Sequence, residues 1–165
     1  MIIDGLLQFS GSVNPVAGQL VTALGNTLST NVIDTAGVGP FSQGRDLGMG
    51  HSLEIAITVL NAVTSGGAAT VGFQLVEADD AAISVNVQVL VQTDAIPVAS
   101  LTLGQIVPLH YDRAAPYPVR RYVALRYVVG TAVLTNATGQ FFAGIVVNLQ
   151  DRGNNTIYQN GFAVA

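Results

Sequence analysis

Two histidines, eight serines and ten carboxylates hold most of the reactive chemistry available to this 165-residue chain. Cysteine and lysine are absent, and all six basic residues are arginine. Thiol nucleophiles, disulfides and cysteine-bound zinc are therefore excluded. So are a lysine Schiff base and a phosphate-loop lysine. A metal centre would have to supplement His51 and His110 with carboxylates such as Glu54 or Asp112. His51 follows a glycine-rich stretch, whereas His110 ends a predicted strand beside Tyr111 and Asp112. Nothing in the spacing places the two together, and isolated histidines at strand ends are usually surface or interface polar groups. No serine lies in the Gly-x-Ser-x-Gly frame of a hydrolase nucleophile. Asp79 and Asp80 are adjacent, which suits a turn better than a pair of acid and base carboxylates. No catalytic residue, no metal ligand and no cofactor is expected.

The remaining motifs are weaker. Residues 36–50 hold Gly37, Gly39, Gly44, Gly48 and Gly50, and backbone amides in such a loop can cradle an anion. A Gly-x-Gly-x-x-Gly frame at a strand-to-helix junction is missing, so a surface loop is the expectation, with Arg45 and Asp46 bonded locally. Arg113, Arg120, Arg121 and Arg126 form the sole basic cluster. Alternate strand positions put Arg120 and Arg126 on one face and Arg121 on the other. These arginines are expected to be solvated or to pair with aspartates of a neighbouring subunit. Asn136-Ala137-Thr138 and Asn154-Asn155-Thr156 fit the glycosylation pattern, which carries little weight without a signal peptide.

The elements that would position these groups are strands. Leu53, Ile55, Ile57 and Val59 alternate with polar or small residues. The same period of two runs through Val71, Phe73 and Leu75, through Val85, Val87, Val89 and Val91, and through Val123, Leu125, Tyr127 and Val129. Phe141, Ala143, Ile145, Val147 and Leu149 complete the set. Shorter strands are predicted at 6–9, 30–34 and 105–110, the last at a sheet edge because Pro108 lacks a ladder donor. Ser65-Gly66-Gly67 suits a hairpin, and residues 95–101 have room for one helical turn. About eight strands without a βαβ rhythm predict an all-β, antiparallel, two-sheet sandwich of jelly-roll type. A single domain over residues 1–165 is expected, with an extended arm at 11–28 and a tail at 152–165.

Composition narrows the class further. Half of the residues are hydrophobic and only 10% are charged, against about 25% charged in ordinary soluble domains. The net charge of −4 argues against general nucleic-acid binding, which needs a basic face. No apolar run reaches the roughly 18 residues that span a bilayer, and Met1-Ile2-Ile3-Asp4-Gly5 hold no basic residue, so no secretory signal peptide is expected. A surface with so little charge repels its own copies weakly, which suits a protein working within an assembly.

Several segments, taken in order, resemble the jelly-roll capsid cement proteins of short-tailed bacteriophages. They are Met1-Ile2-Ile3-Asp4, Ser29-Thr30-Asn31-Val32-Ile33-Asp34 and Gly44-Arg45-Asp46-Leu47-Gly48. The stretch from Ala69 to Asp79, the segment Arg121-Tyr122-Val123-Ala124-Leu125-Arg126-Tyr127 and the final strand ending in Leu149-Gln150-Asp151 extend the likeness. It covers most of residues 1–10 and 29–151. The resemblance implies a non-enzymatic decoration protein, made in the bacterial host cytoplasm and placed on the outer surface of the virion. Its partners would be the major capsid protein and itself, as a homodimer or homotrimer, with no nucleic acid, membrane or cofactor. The alternative class is a carbohydrate-binding or adhesive sandwich module of a phage particle. Aromatic platforms would favour that class, and tryptophan is absent.

Overall fold

The computed structural model describes residues 2–13, 15–35, 52–112 and 120–147. In chain order the strands are β1 (Ile2–Ser10), β2 (Ser12–Val13), β3 (Val16–Ala17), β4 (Gly25–Leu28), β5 (Ile33–Asp34) and β6 (Ser52–Val59). They continue as β7 (Thr70–Ala78), β8 (Gln88–Gln92), β9 (Ile96–Pro97), β10 (Ile106–Asp112), β11 (Tyr122–Gly130) and β12 (Phe141–Val147). One 3-10 turn, Val98–Ser100, follows β9 within the stretch where a single helical turn was expected.

The eight strands longer than two residues form two antiparallel sheets. One runs β1-β12-β6-β10 and the other β4-β11-β7-β8, with β5 and β9 attached to β11 and β7. Among these eight, the first pairs with the last, the second with the seventh, the third with the sixth and the fourth with the fifth. That nesting is one long hairpin rolled into two layers, the jelly-roll arrangement. The predicted all-β sandwich is therefore the observed fold.

Alternation explains the layers, since every second side chain of a strand enters the space between the sheets. Ile55, Ile57 and Val59 of β6 face Val71, Phe73 and Leu75 of β7 and Val123, Leu125 and Tyr127 of β11, all buried. Phe141 of β12 closes the centre. Its ring stacks on Tyr127 at 5.2 Å between centroids and meets Phe73 edge-on at 5.4 Å. β10 lies at a sheet edge, where Pro108 forfeits no ladder bond on the open side.

Three expectations need correction. Ser65-Gly66-Gly67 joins no hairpin, because β6 and β7 belong to different sheets and the turn crosses between layers. The alternation of Val85 to Val91 does not make one strand. β8 begins at Gln88, and its register skips Leu90, with Leu75 opposite Val91 and Val76 opposite Val89. The bulge and the left-handed backbone of Ile83 and Asn86 (φ 53° and 52°) bend this stretch, leaving Val85, Val87 and Val89 exposed. The third concerns residues 11–28, whose last four form β4, a member of the six-stranded sheet. Within the same segment Gln19 bridges to Phe141.

Candidate functional site

The candidates for chemistry are dispersed. His110 stands on β10 with Nε2 3.2 Å from an Asp112 carboxylate oxygen, and both side chains are largely exposed. Register sets His110 opposite Glu54 of β6. Among the described residues, no three His, Asp or Glu side chains converge as a metal site would require. His51, the glycine segment with Arg45 and Asp46, Arg113, and the tail with Asn154 lie outside the described residues.

Arg120 and Arg121 each pair with an aspartate of the same chain. Arg120 and Arg121 precede β11 and turn to opposite sides of it. Arg120 Nη1 donates to Asp79 at 2.7 Å, at the end of β7. Arg121 grips Asp34 of β5 through two parallel bonds of 2.8 Å and lies over the Tyr122 ring at 5.0 Å. The Asp34 carboxylate raises the Arg121 pKa. The aspartate partners of Arg120 and Arg121 are thus in the same chain, not on a neighbouring subunit, because β5 and β7 flank β11 in the sheet.

Asp79 and Asp80 are turn residues. Asp80 accepts bonds from the Ser84 and Val85 amides at 2.8 and 2.7 Å and from the Ser84 hydroxyl at 2.7 Å. The Val85 amide, then the Ser84 hydroxyl, hold its carboxyl below the usual carboxylate range. Asp79 is held low by Asn86 first and Arg120 second. These bonds fix the left-handed Ile83, whose side chain is buried with Val76, Ala78 and Ala124 on the outer side of the sheet. Asn136 is likewise engaged. Its Nδ2 donates to the Ala62 carbonyl at 2.6 Å, and its Oδ1 accepts from the Thr64 amide at 2.9 Å.

Periodicity did not reveal a polar ladder on the outer face of the six-stranded sheet. Arg126 Nε donates to Gln74 Oε1 at 2.8 Å, and Gln74 Nε2 donates to Gln92 Oε1 at 2.8 Å. The ladder crosses β11, β7 and β8 beside a shallow hollow of about 290 Å³. Each member occupies a polar slot of an alternating run. Only the pairing register, which single-sequence periodicity lacks, shows that the slots are adjacent.

The nested antiparallel pairing of the two sheets that carry these groups defines a jelly-roll sandwich protein. Residues 16–145 match the family model described as Bbp16, and the chain belongs to the Bbp16 family. No curated protein matches the chain.

Proposed function

We propose that the protein is a structural cement protein, binding the outer surface of an icosahedral phage head and bridging major capsid protein subunits. The observation that carries this reading is where the segments resembling cement proteins fall. The stretch Ala69 to Asp79 contains β7, and Arg121 to Tyr127 runs into the first residues of β11. The segment Ser29 to Asp34 ends in β5. Scattered in sequence, they are hydrogen-bonded neighbours in one sheet. A surface poor in charge supports an assembly role. So do exposed Val16, Leu20 and Leu24, three apolar side chains within nine residues.

A protein that attaches only to the intact shell stabilises it by mass action, about 2.7 kcal/mol per site at a free concentration 100-fold above Kd. The test adds purified protein to undecorated mature capsids and measures copy number and disruption temperature. A raised disruption temperature is expected, with a smaller response from compact precursor shells. Decorated and bare shells breaking at the same temperature would reject the role, and binding to sugars without binding to capsids would favour an adhesive module.

A further inference from the structure

The hollow on the outer face lies over the central strand β7 and is lined by Thr70, Gly72, Gln74, Gln92, Asp94 and Val128, with others. Gly72 forms its floor. A Cβ added there would meet only Val128, at 3.8 Å or more, and Gly72 has no left-handed backbone. Nothing among the described residues therefore requires glycine at this position. Glycine inside a strand weakens it and often marks a close approach by a ligand or another backbone.

Two charges flank the hollow. Arg126 stands on β11, to one side of β7, and is joined to the rim through Gln74. Asp94 follows β8 on the other side. Among the described residues the ion pairs are His110–Asp112, Arg120–Asp79 and Arg121–Asp34, so neither Arg126 nor Asp94 belongs to one. A face with one unmatched cation and one unmatched carboxylate on opposite sides of a strand complements itself under twofold rotation.

We propose that this face is a self-association surface. A second copy of the chain docks on it about a twofold axis that lies in the interface along β7, and Arg126 of each copy meets Asp94 of the other. The recessed floor at Gly72 lets the two faces close. Exposed ion pairs contribute little by themselves; here they fix the register and discriminate against other arrangements. The inference concerns the free protein and stands independently of any role on a capsid.

The test follows the dimer dissociation constant by sedimentation velocity over a dilution series, with no capsid present. Wild type is expected to dimerise at tens of micromolar. Arg126→Glu and Asp94→Arg alone should each raise the constant at least about tenfold, through like charges brought face to face. An equimolar mixture of the two should restore association, since its heterodimer contains one native and one reversed pair. The double variant should self-associate again. Gly72→Val should block docking without lowering the melting temperature, and Arg126→Gln with Asp94→Asn gives a milder version if a reversal impairs folding. A monomeric wild type, single variants of unchanged affinity, or a mixture without rescue would overturn the proposal. Dimers lost on Val89→Lys but indifferent to the charge reversals would also overturn it, moving the contact to the exposed β8 edge.

Discussion

The Gln140 side chain bonds to both backbone groups of Val21, a residue 119 positions away. The Val21 amide donates to Oε1 at 2.7 Å, and Nε2 donates to the Val21 carbonyl at 2.9 Å, all buried. A primary amide has the same donor and acceptor pair as a peptide group, so Gln140 serves as a missing strand partner. It ties the run between β3 and β4 to the start of β12, where the Gln140 amide also donates to the Gln19 carbonyl at 3.0 Å.

Replacing Gln140 by Leu should therefore be expensive although the new side chain is apolar. Two buried backbone groups would lose their partners, at about 1–3 kcal/mol each. A loss of about 3 kcal/mol is expected, lowering the melting temperature by roughly 6–12 °C in a chain of this size. Calorimetry on Gln140→Leu checks it, and a shift under about 2 °C would show that the amide is dispensable.

Gly139 and Gly72 should respond oppositely to alanine. A Cβ on Gly139 would overlap the Gly18 carbonyl, and one on Gly18 would come within 2.8 Å of Gly139 backbone atoms. Neither atom can rotate away, because the Gln19–Phe141 bridge fixes both segments. Gly139→Ala should cost about 3 kcal/mol, the upper range for overpacking. Gly72→Ala, whose Cβ would make only an ordinary contact with Val128 at 3.8 Å, should change stability by less than about 1 kcal/mol, in the favourable direction. Urea denaturation of the two variants side by side separates a packing glycine from one that the fold does not need.

Much of the sandwich was legible because a half-buried strand exposes its periodicity directly. Ile55, Ile57, Phe73, Leu75, Leu125 and Tyr127 all read as inward and all are buried. Val85 to Val89 read as a continuation of such a face, and the pattern failed there for a local reason. Asp80 captures the next turn and Ile83 adopts φ 53°, a conformation that β-branched residues rarely take. Contacts that depend on register were illegible. Gln140 with Val21, and Arg126 with Gln74 and Gln92, are polar residues whose partners emerge only once strands distant in sequence are paired.

Tyr127 offers a prediction at alkaline pH. Its ring is wholly buried between Phe73 and Phe141, and its hydroxyl faces that of Ser10 without good hydrogen-bond geometry. Burial raises its pKa well above the ordinary 10.0, and the nearby Ser10 hydroxyl offsets this only in part. Above pH 10, and below the raised pKa, the unfolded chain has released the phenolic proton and the folded chain has kept it. The folded state then binds more protons than the unfolded one, so stability must fall as pH rises. The full contribution is present below pH 10 and is lost above it by about 1.4 kcal/mol per pH unit. Tyr127→Phe removes the proton and also the hydroxyl that lacks a partner. At pH 8 it should be neutral or slightly stabilising, and by pH 11 it should exceed wild type by about a further 1.4 kcal/mol. Urea denaturation of both proteins at pH 8, 10 and 11 measures the divergence. Parallel curves across that range would mean that Tyr127 ionises within the folded sandwich, and that its hydroxyl reaches water.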